Sequence, residues 1–207
     1  FQAEYGIRDR VSCLVGSEMC IRDRLMIESD AGGEQAEREL GVAAEACTAA
    51  GALSQQRATD TEEADSLREA RRKAHWSMAQ AGAARTEDIS VPRSQAADLM
   101  AAIARVAERH DMEIGVFGHA GDGNFHPTYV TDADDPRAKE RIDAARADLY
   151  TEVVGLGGTI TGEHGIGLSK RDFLEQQVGP DGLRAMRAVK AALDPQGILN
   201  PGKVFPD

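Results

Sequence analysis

The stretch EIGVFGHAGDGNFHPTYV, residues 113 to 130, decides the architecture. Its two arms, EIGVFGHA at 113 to 120 and NFHPTYV at 124 to 130, read as strands on either side of Asp122-Gly123. That dipeptide favours a two-residue hairpin turn, because both central positions of a type I′ turn need positive φ. Counting outward from the turn pairs Gly121 with Asn124, Ala120 with Phe125 and His119 with His126. The two histidines are therefore expected directly opposite on one face, with Cβ atoms about 4.5 to 5.5 Å apart. Two imidazoles converging on one point can chelate a divalent metal. A pair of half-exposed hairpin histidines is the plainer alternative, and it stays open at this point.

Upstream of the hairpin, LMIES at 25 to 29 predicts a short strand, and the Ala-, Glu- and Leu-rich run at 34 to 50 predicts a helix ending at Gly51. A weak strand is expected at 52 to 57, then a long charged helix from Asp60 to about Ala81. DISVPR at 88 to 93 reads as a strand that Pro92 places near a sheet edge. Ser94 is expected to cap the next helix, in which Leu99, Ile103 and Val106 fall at i, i+4 and i+7. Downstream, Asp135-Pro136 opens a helix with Ile142, Leu149, Val153 and Leu156 on one face, closed by Gly155, Gly157 and Gly158. Two short helices and the exit LDPQGILNPGKVF at 193 to 205 follow. Strands joined both by helices and by a hairpin predict an α+β fold. The expected form is a mostly antiparallel sheet covered by helices on one face, a ferredoxin-like duplicated layer, with a helical segment at the C-terminal end.

Composition narrows the function classes. The chain has 207 residues, 35 Asp and Glu against 24 Lys and Arg, and a formal charge of −11. Such a surface repels a phosphate backbone, which argues against nucleic acid as a partner. No window approaches the roughly 18 unbroken apolar residues of a transmembrane segment, and no basic leader precedes an apolar run. Cys13, Cys20 and Cys47 show no CxxC spacing, so neither a disulfide framework nor a thiolate zinc site is expected, and Cys47 reads as a small buried thiol in a helix. The cytoplasm, free or peripheral at the inner membrane, is the expected location.

Residues 1 to 24 stand apart. GIRDR at 6 to 10 returns as CIRDR at 20 to 24, in a stretch with neither helical nor strand periodicity. LVGSEMCIRDR at 14 to 24 resembles a sequencing-library adapter translated in frame. This segment is expected to be a non-native, disordered tail that packs on nothing, leaving residues 25 to 207 as the domain.

A second constellation lies at GGTITGEHGIG, residues 157 to 167. Gly162 allows close backbone approach before Glu163 and His164, and a loop that begins at a glycine can aim both into one pocket. Glu163 would complete a His2Glu set with an open coordination position. A solvated acid beside a solvated histidine explains the pair as well. The glycines form neither GxGxxG after a strand nor GxxxxGK[ST], so they cradle no nucleotide phosphate.

GHAGDGNFHP at 118 to 127, GGTITGEHGIG at 157 to 167 and LDPQGILNPGKVF at 193 to 205, in this order, resemble the C-terminal domain of FAD-linked oxidases of the vanillyl-alcohol-oxidase type. Members include the glycolate oxidase FAD subunit, cytochrome-type D-lactate dehydrogenase and D-2-hydroxyglutarate dehydrogenase. EDISVPRS at 87 to 94 is also similar, and the resemblance runs from about Leu25 to Phe205. It implies a larger flavin-binding domain upstream of Leu25, a divalent metal (zinc or manganese) on His119, His126 and Glu163, and a catalytic His164. It places a carboxylate-binding arginine at Arg71, within LREARRKAH at 67 to 75, and sets Asn200 and Lys203 near the flavin. Thr128 stands where many members carry asparagine, and Thr86 where the hydroxyglutarate branch carries a lysine. A D-2-hydroxy monoacid of glycolate or D-lactate type is thus the implied substrate, oxidised to the 2-oxo acid. The implied electron acceptor is an iron-sulfur subunit, a quinone or a cytochrome, and the fragment alone is expected to be inactive. A metal-dependent hydrolase and a non-catalytic, metal-stabilised interaction domain remain the alternatives.

Overall fold

The computed structural model describes residues 12–15, 24–80, 83–132 and 134–206; the side chains at 12–15, 24, 70–72, 74–80, 83 and 84 lie outside the description. The strands are β1 (Ser12–Val15), β2 (Arg24–Met26), β3 (Ala83–Thr86), β4 (Ile89–Ser90), β5 (Glu113–His119) and β6 (Asn124–Thr131). The helices are α1 (Gly33–Ala49), α2 (Thr61–Gln80), α3 (Ala96–Arg109), α4 (Ala138–Gly155) and α5 (Leu174–Leu193). All strand pairs are antiparallel, in the order β2-β1-β5-β6-β3, with β4 also pairing with β6. This is the expected α+β architecture.

The helices begin and end for local reasons. At the start of α2, Asp60 Oδ1 accepts from the Glu63 N–H while Glu63 Oε2 accepts from the Thr59 N–H, a reciprocal cap. After α1, Gly51 takes φ 88°, a left-handed turn that glycine adopts without strain. Helix α3 buries Leu99, Ala102, Ile103 and Val106, the stripe expected from its spacing, and packs against α4 and β5. Helix α4 answers with Ile142, Leu149, Tyr150 and Val153. Between them Phe125 and Tyr129 of β6 are almost wholly enclosed. Helix α5 is interrupted at Gly179 (φ 71°) and Pro180, so it serves as the two short helices expected there.

Four local expectations need correction. No strand forms at 52 to 57. Ser94 lies in a 3-10 turn (Arg93–Gln95) and does not cap α3, which starts at Ala96 with Gln95 at the N-cap position. Strand β6 is buried at seven of its eight positions, so the sheet is covered on both faces along this strand. Within the segment expected to pack on nothing, Ser12–Val15 pair along β5; the remainder of residues 1 to 23 lies outside the described residues. The pairing is intelligible because a strand edge offers N–H and C=O groups to any extended backbone, whatever its side chains.

The hairpin register also differs from expectation. His119 lies opposite Asn124 and Phe117 opposite His126, with Ala120 to Gly123 as a four-residue loop. The His119 carbonyl accepts from the N–H groups of both Asp122 (3.2 Å) and Gly123 (3.0 Å). Gly123 has φ 80°, and its carbonyl accepts from Val91 N–H at 3.0 Å. Docking on the segment after β4 therefore sets the turn, overriding the local preference of Asp-Gly.

Candidate metal centre

His126 and His119 still share a face of the hairpin, but as diagonal neighbours with ring centroids 6.4 Å apart. His126 is buried at the sheet surface, and its Nδ1 lies 3.3 Å from the carbonyl oxygen of Glu87. A proton on Nδ1 satisfies that carbonyl and leaves Nε2 as a free lone pair, the form in which imidazole binds a metal. Burial pushes His126 below the ordinary histidine range, against the opposing pull of Asp88, so the neutral ring is favoured.

Glu163 and His164 come to this lone pair from the loop after Gly162. Glu163 Oε1 is 3.6 Å from His126 Nε2 and 3.4 Å from His164 Nε2. The His164 ring stacks on that of His126 with centroids 5.6 Å apart. The ligand atoms of His126, Glu163 and His164 all lie within 4.8 Å of one another. Two imidazoles and a carboxylate at this spacing fit one divalent ion, with one buried ligand and two on the solvent side. The structure thus gathers two of the three expected ligands, His126 and Glu163, with His164 at the third corner and His119 farther out.

The loop is held by Asp88, which the sequence reading treated only as the first residue of a strand. Asp88 is fully buried, and its Oδ2 accepts from Thr161 Oγ1 (2.9 Å) and from the backbone N–H groups of Gly162 (2.9 Å), Glu163 (3.0 Å) and His164 (2.9 Å). Desolvation raises the affinity of this carboxyl for a proton. The N–H of His164, the Thr161 hydroxyl, the N–H of Glu163 and the charge of Lys170 outweigh it, and hold Asp88 below the usual carboxylate range. Lys170, also missed, is buried and donates to the carbonyls of Asp88 (2.6 Å) and Ile160 (2.8 Å). An acid heading an apolar run, as in Asp88-Ile89-Ser90-Val91, was the available signal for the first. Nothing in the local pattern marked the second.

A cleft of 330 Å³ opens beside the loop, lined by Arg85, Thr86, Asp88, His164, Ser169 and Lys170 among others. The Thr86 and Thr128 hydroxyls meet across the strands at 3.0 Å. Arg71 sits on α2, which packs against β3 and β6, but its side chain lies outside the described residues. Asn200 and Lys203 are exposed on the exit loop, where Lys203 Nζ donates to Asn200 Oδ1 at 3.3 Å. That loop returns to the centre: Val204 N–H donates to the carbonyl of Gly167 at 2.8 Å, three residues beyond His164.

Residues 23–204 match the family described as FAD linked oxidases, C-terminal domain. The chain is 44% identical over 182 residues to the glycolate oxidase subunit GlcD of Bacillus subtilis, covering 87% of this chain and 39% of that protein. It is 37% identical over 155 residues to the mitochondrial D-lactate dehydrogenase (cytochrome) of Kluyveromyces lactis, covering 72% and 26%. It is 35% identical over 210 aligned residues to an uncharacterized FAD-linked oxidoreductase of Mycobacterium tuberculosis, covering 99% and 42%. The chain spans between about a quarter and two fifths of the length of these relatives.

Proposed function

The chain belongs to the FAD-linked oxidases as their C-terminal domain, and on that premise we propose that it forms the metal- and substrate-binding wall of a flavoenzyme that oxidises a D-2-hydroxy acid to the 2-oxo acid. The observation that carries the reading is the convergence of His126, Glu163 and His164 beside a polar cleft. The names of the relatives, glycolate oxidase and D-lactate dehydrogenase, supply the substrate class.

His126 and Glu163 hold a divalent ion, zinc or manganese, and His119 serves as the third ligand. Such an ion lowers the pKa of a hydroxyl bound to it. Arg71 pairs with the substrate carboxylate. His164, exposed at the mouth of the cleft, accepts the 2-hydroxyl proton at Nε2, with Glu163 Oε1 3.4 Å away. Asn200 and Lys203 would lie on the side of the flavin, which when bound would supply the hydride acceptor for C2. Thr86 offers no charge to a second carboxylate, so a monoacid of glycolate or D-lactate type is favoured. The electrons pass on to an iron-sulfur subunit, a quinone or a cytochrome. No helix of the described residues is long and apolar enough to cross a membrane; a cytoplasmic location, free or peripheral at the inner membrane, is part of the same proposal.

Calorimetric titration of glycolate, D-lactate and D-2-hydroxyglutarate into the Mn2+-loaded chain tests the reading. The expected result is metal-dependent binding of a monoacid, tighter than that of the diacid. A chain that binds the metal and none of the three acids overturns it.

A further inference from the structure

The dipeptide Glu87-Asp88 touches both halves of the centre: the Glu87 carbonyl meets His126, and the Asp88 carboxylate meets the loop of Glu163 and His164. We propose that Asp88 is the positioning residue of the metal centre, and that its carboxylate sets the loop so that Glu163 and His164 face His126. The inference deepens the metal-binding reading and rests on it for one of its two readouts.

Three consecutive N–H groups, those of Gly162, Glu163 and His164, converge on one oxygen, Asp88 Oδ2. A backbone curled in this way forms a concavity for an anion, and here the chain fills it with its own buried carboxylate. With their N–H groups turned inward, Glu163 and His164 carry side chains that are 59% and 62% exposed, at the mouth rather than in the interior. The Thr161 hydroxyl adds a fourth donor to the same oxygen. The carboxylate is itself fixed, because Lys170 ties the Asp88 carbonyl to that of Ile160, the residue that leads into the loop.

Gly162 is the complement of this arrangement. A Cβ there would lie 2.3 Å from Asn124 Oδ1 and 2.7 Å from Asp88 Oδ1. Both of those oxygens are buried without a hydrogen-bond partner among the described residues. The space is therefore closed by the Asn124 amide together with the acid, and a methyl group must displace the amide, the carboxylate or the loop.

A merely structural role for Asp88 predicts loss of stability everywhere, whereas positioning predicts a local effect. Amide hydrogen exchange at residues 162 to 164 and competitive Co2+ affinity are read in the wild-type chain, Asp88→Ala, Asp88→Asn and Gly162→Ala. In Asp88→Ala the three amides should exchange at least about tenfold faster while those of α3 and α4 stay unchanged. Co2+ affinity should fall by at least about tenfold, as when the outer partner of a metal ligand is removed. Asp88→Asn, which keeps an oxygen acceptor for the same donors, should recover most of both. Unchanged exchange in Asp88→Ala, or a loosened loop with wild-type Co2+ affinity, overturns the inference. Should Asp88→Ala fail to fold, Gly162→Ala is judged by the same two criteria. A wild-type chain that takes up no Co2+ overturns the metal reading instead, and the exchange comparison alone then decides whether Asp88 sets the loop.

Discussion

Glu87 and Asp88 are neighbours in sequence and both are buried, yet their carboxylates anchor different parts of the molecule. Asp88 gathers the loop at 161 to 164, whereas Glu87 holds helix α4. Tyr150 Oη donates to Glu87 Oε2 at 2.6 Å, and Arg146 Nε approaches Oε1 to 2.7 Å as an ion pair rather than an aligned hydrogen bond. One dipeptide thereby links the main helical layer to the candidate metal centre.

Tyr150→Phe should therefore destabilise the domain by about 1.5 to 3 kcal/mol, the worth of a buried hydrogen bond to a charged group. Burial, reinforced by the charge of Glu87, raises the Tyr150 pKa, so the phenol remains a donor throughout the neutral range. Urea denaturation measures the change, and an unaltered midpoint would show that Glu87 does not need this partner.

Much of the fold was legible because it depends on period. The stripe Leu99, Ile103 and Val106 and the face of Ile142, Leu149, Val153 and Leu156 were predicted from spacing alone, and all are buried except Leu156, which is half-buried just past the end of α4. The two strands of the hairpin were legible from composition. Their register was not, because the turn is set by a contact between Gly123 and Val91 that no local pattern reveals. Glu163 and His164 were expected in one pocket near His126, but with His119 as the second imidazole of the ligand set, and the part played by Asp88 was hidden. A side chain that accepts backbone N–H groups from residues 74 to 76 positions away leaves no motif. The pairing of Ser12–Val15 was invisible for a related reason, since it uses backbone groups that every sequence carries.

The metal assignment divides the histidines. His126→Ala should lower Co2+ affinity by at least about tenfold, because it removes a ligand whose second nitrogen is already held by Glu87. His119→Ala should do the same if His119 is the third ligand, and His164→Ala should leave affinity within about threefold if His164 serves as the base. The opposite ranking of these two variants would make His164 the ligand, in line with the 4.8 Å spacing it shares with His126 and Glu163, and would assign the proton transfer elsewhere.

Arg71→Ala should weaken binding of the hydroxy acid to the metal-loaded chain by roughly 10- to 100-fold, the loss of a charge-assisted pair with a carboxylate. Metal affinity should be unaffected, since the arginine is no ligand. Calorimetry with and without Mn2+ separates the two effects, and equal acid affinity in variant and wild type would remove Arg71 from the site.

Acid should destabilise the domain through Asp143. This carboxylate accepts from Lys139 Nζ at 2.7 Å and Arg146 Nη1 at 2.8 Å, and the Lys139 hydrogen bond is the main reason its pKa lies below the usual value. A depressed folded-state pKa means that the unfolded chain binds the proton first. Its contribution is therefore complete above the ordinary aspartate pKa of about 4 and is lost as pH falls further. Denaturation midpoints measured from pH 6 down to about 3 should decline more steeply in wild type than in Asp143→Asn. Parallel curves would show that this ion pair is energetically silent.

The hairpin turn offers a test of the register that places the histidines. In a two-residue type I′ turn Asp122 would need positive φ, and Asp122→Gly would relieve strain and stabilise the protein. In the observed loop Gly123 alone within the turn has positive φ, and Asp122 Oδ1 accepts from the Asn124 N–H at 2.9 Å. Asp122→Gly should then destabilise by about 1 kcal/mol, through the lost hydrogen bond and the freer unfolded chain. Gly123→Ala should cost more, above about 2 kcal/mol, because it adds left-handed strain to a methyl group that would stand 2.1 Å from the Val91 carbonyl oxygen. Thermal or urea unfolding of the two variants decides the matter. A stabilised Asp122→Gly would restore the pairing of His119 with His126 and bring His119 level with the other ligands.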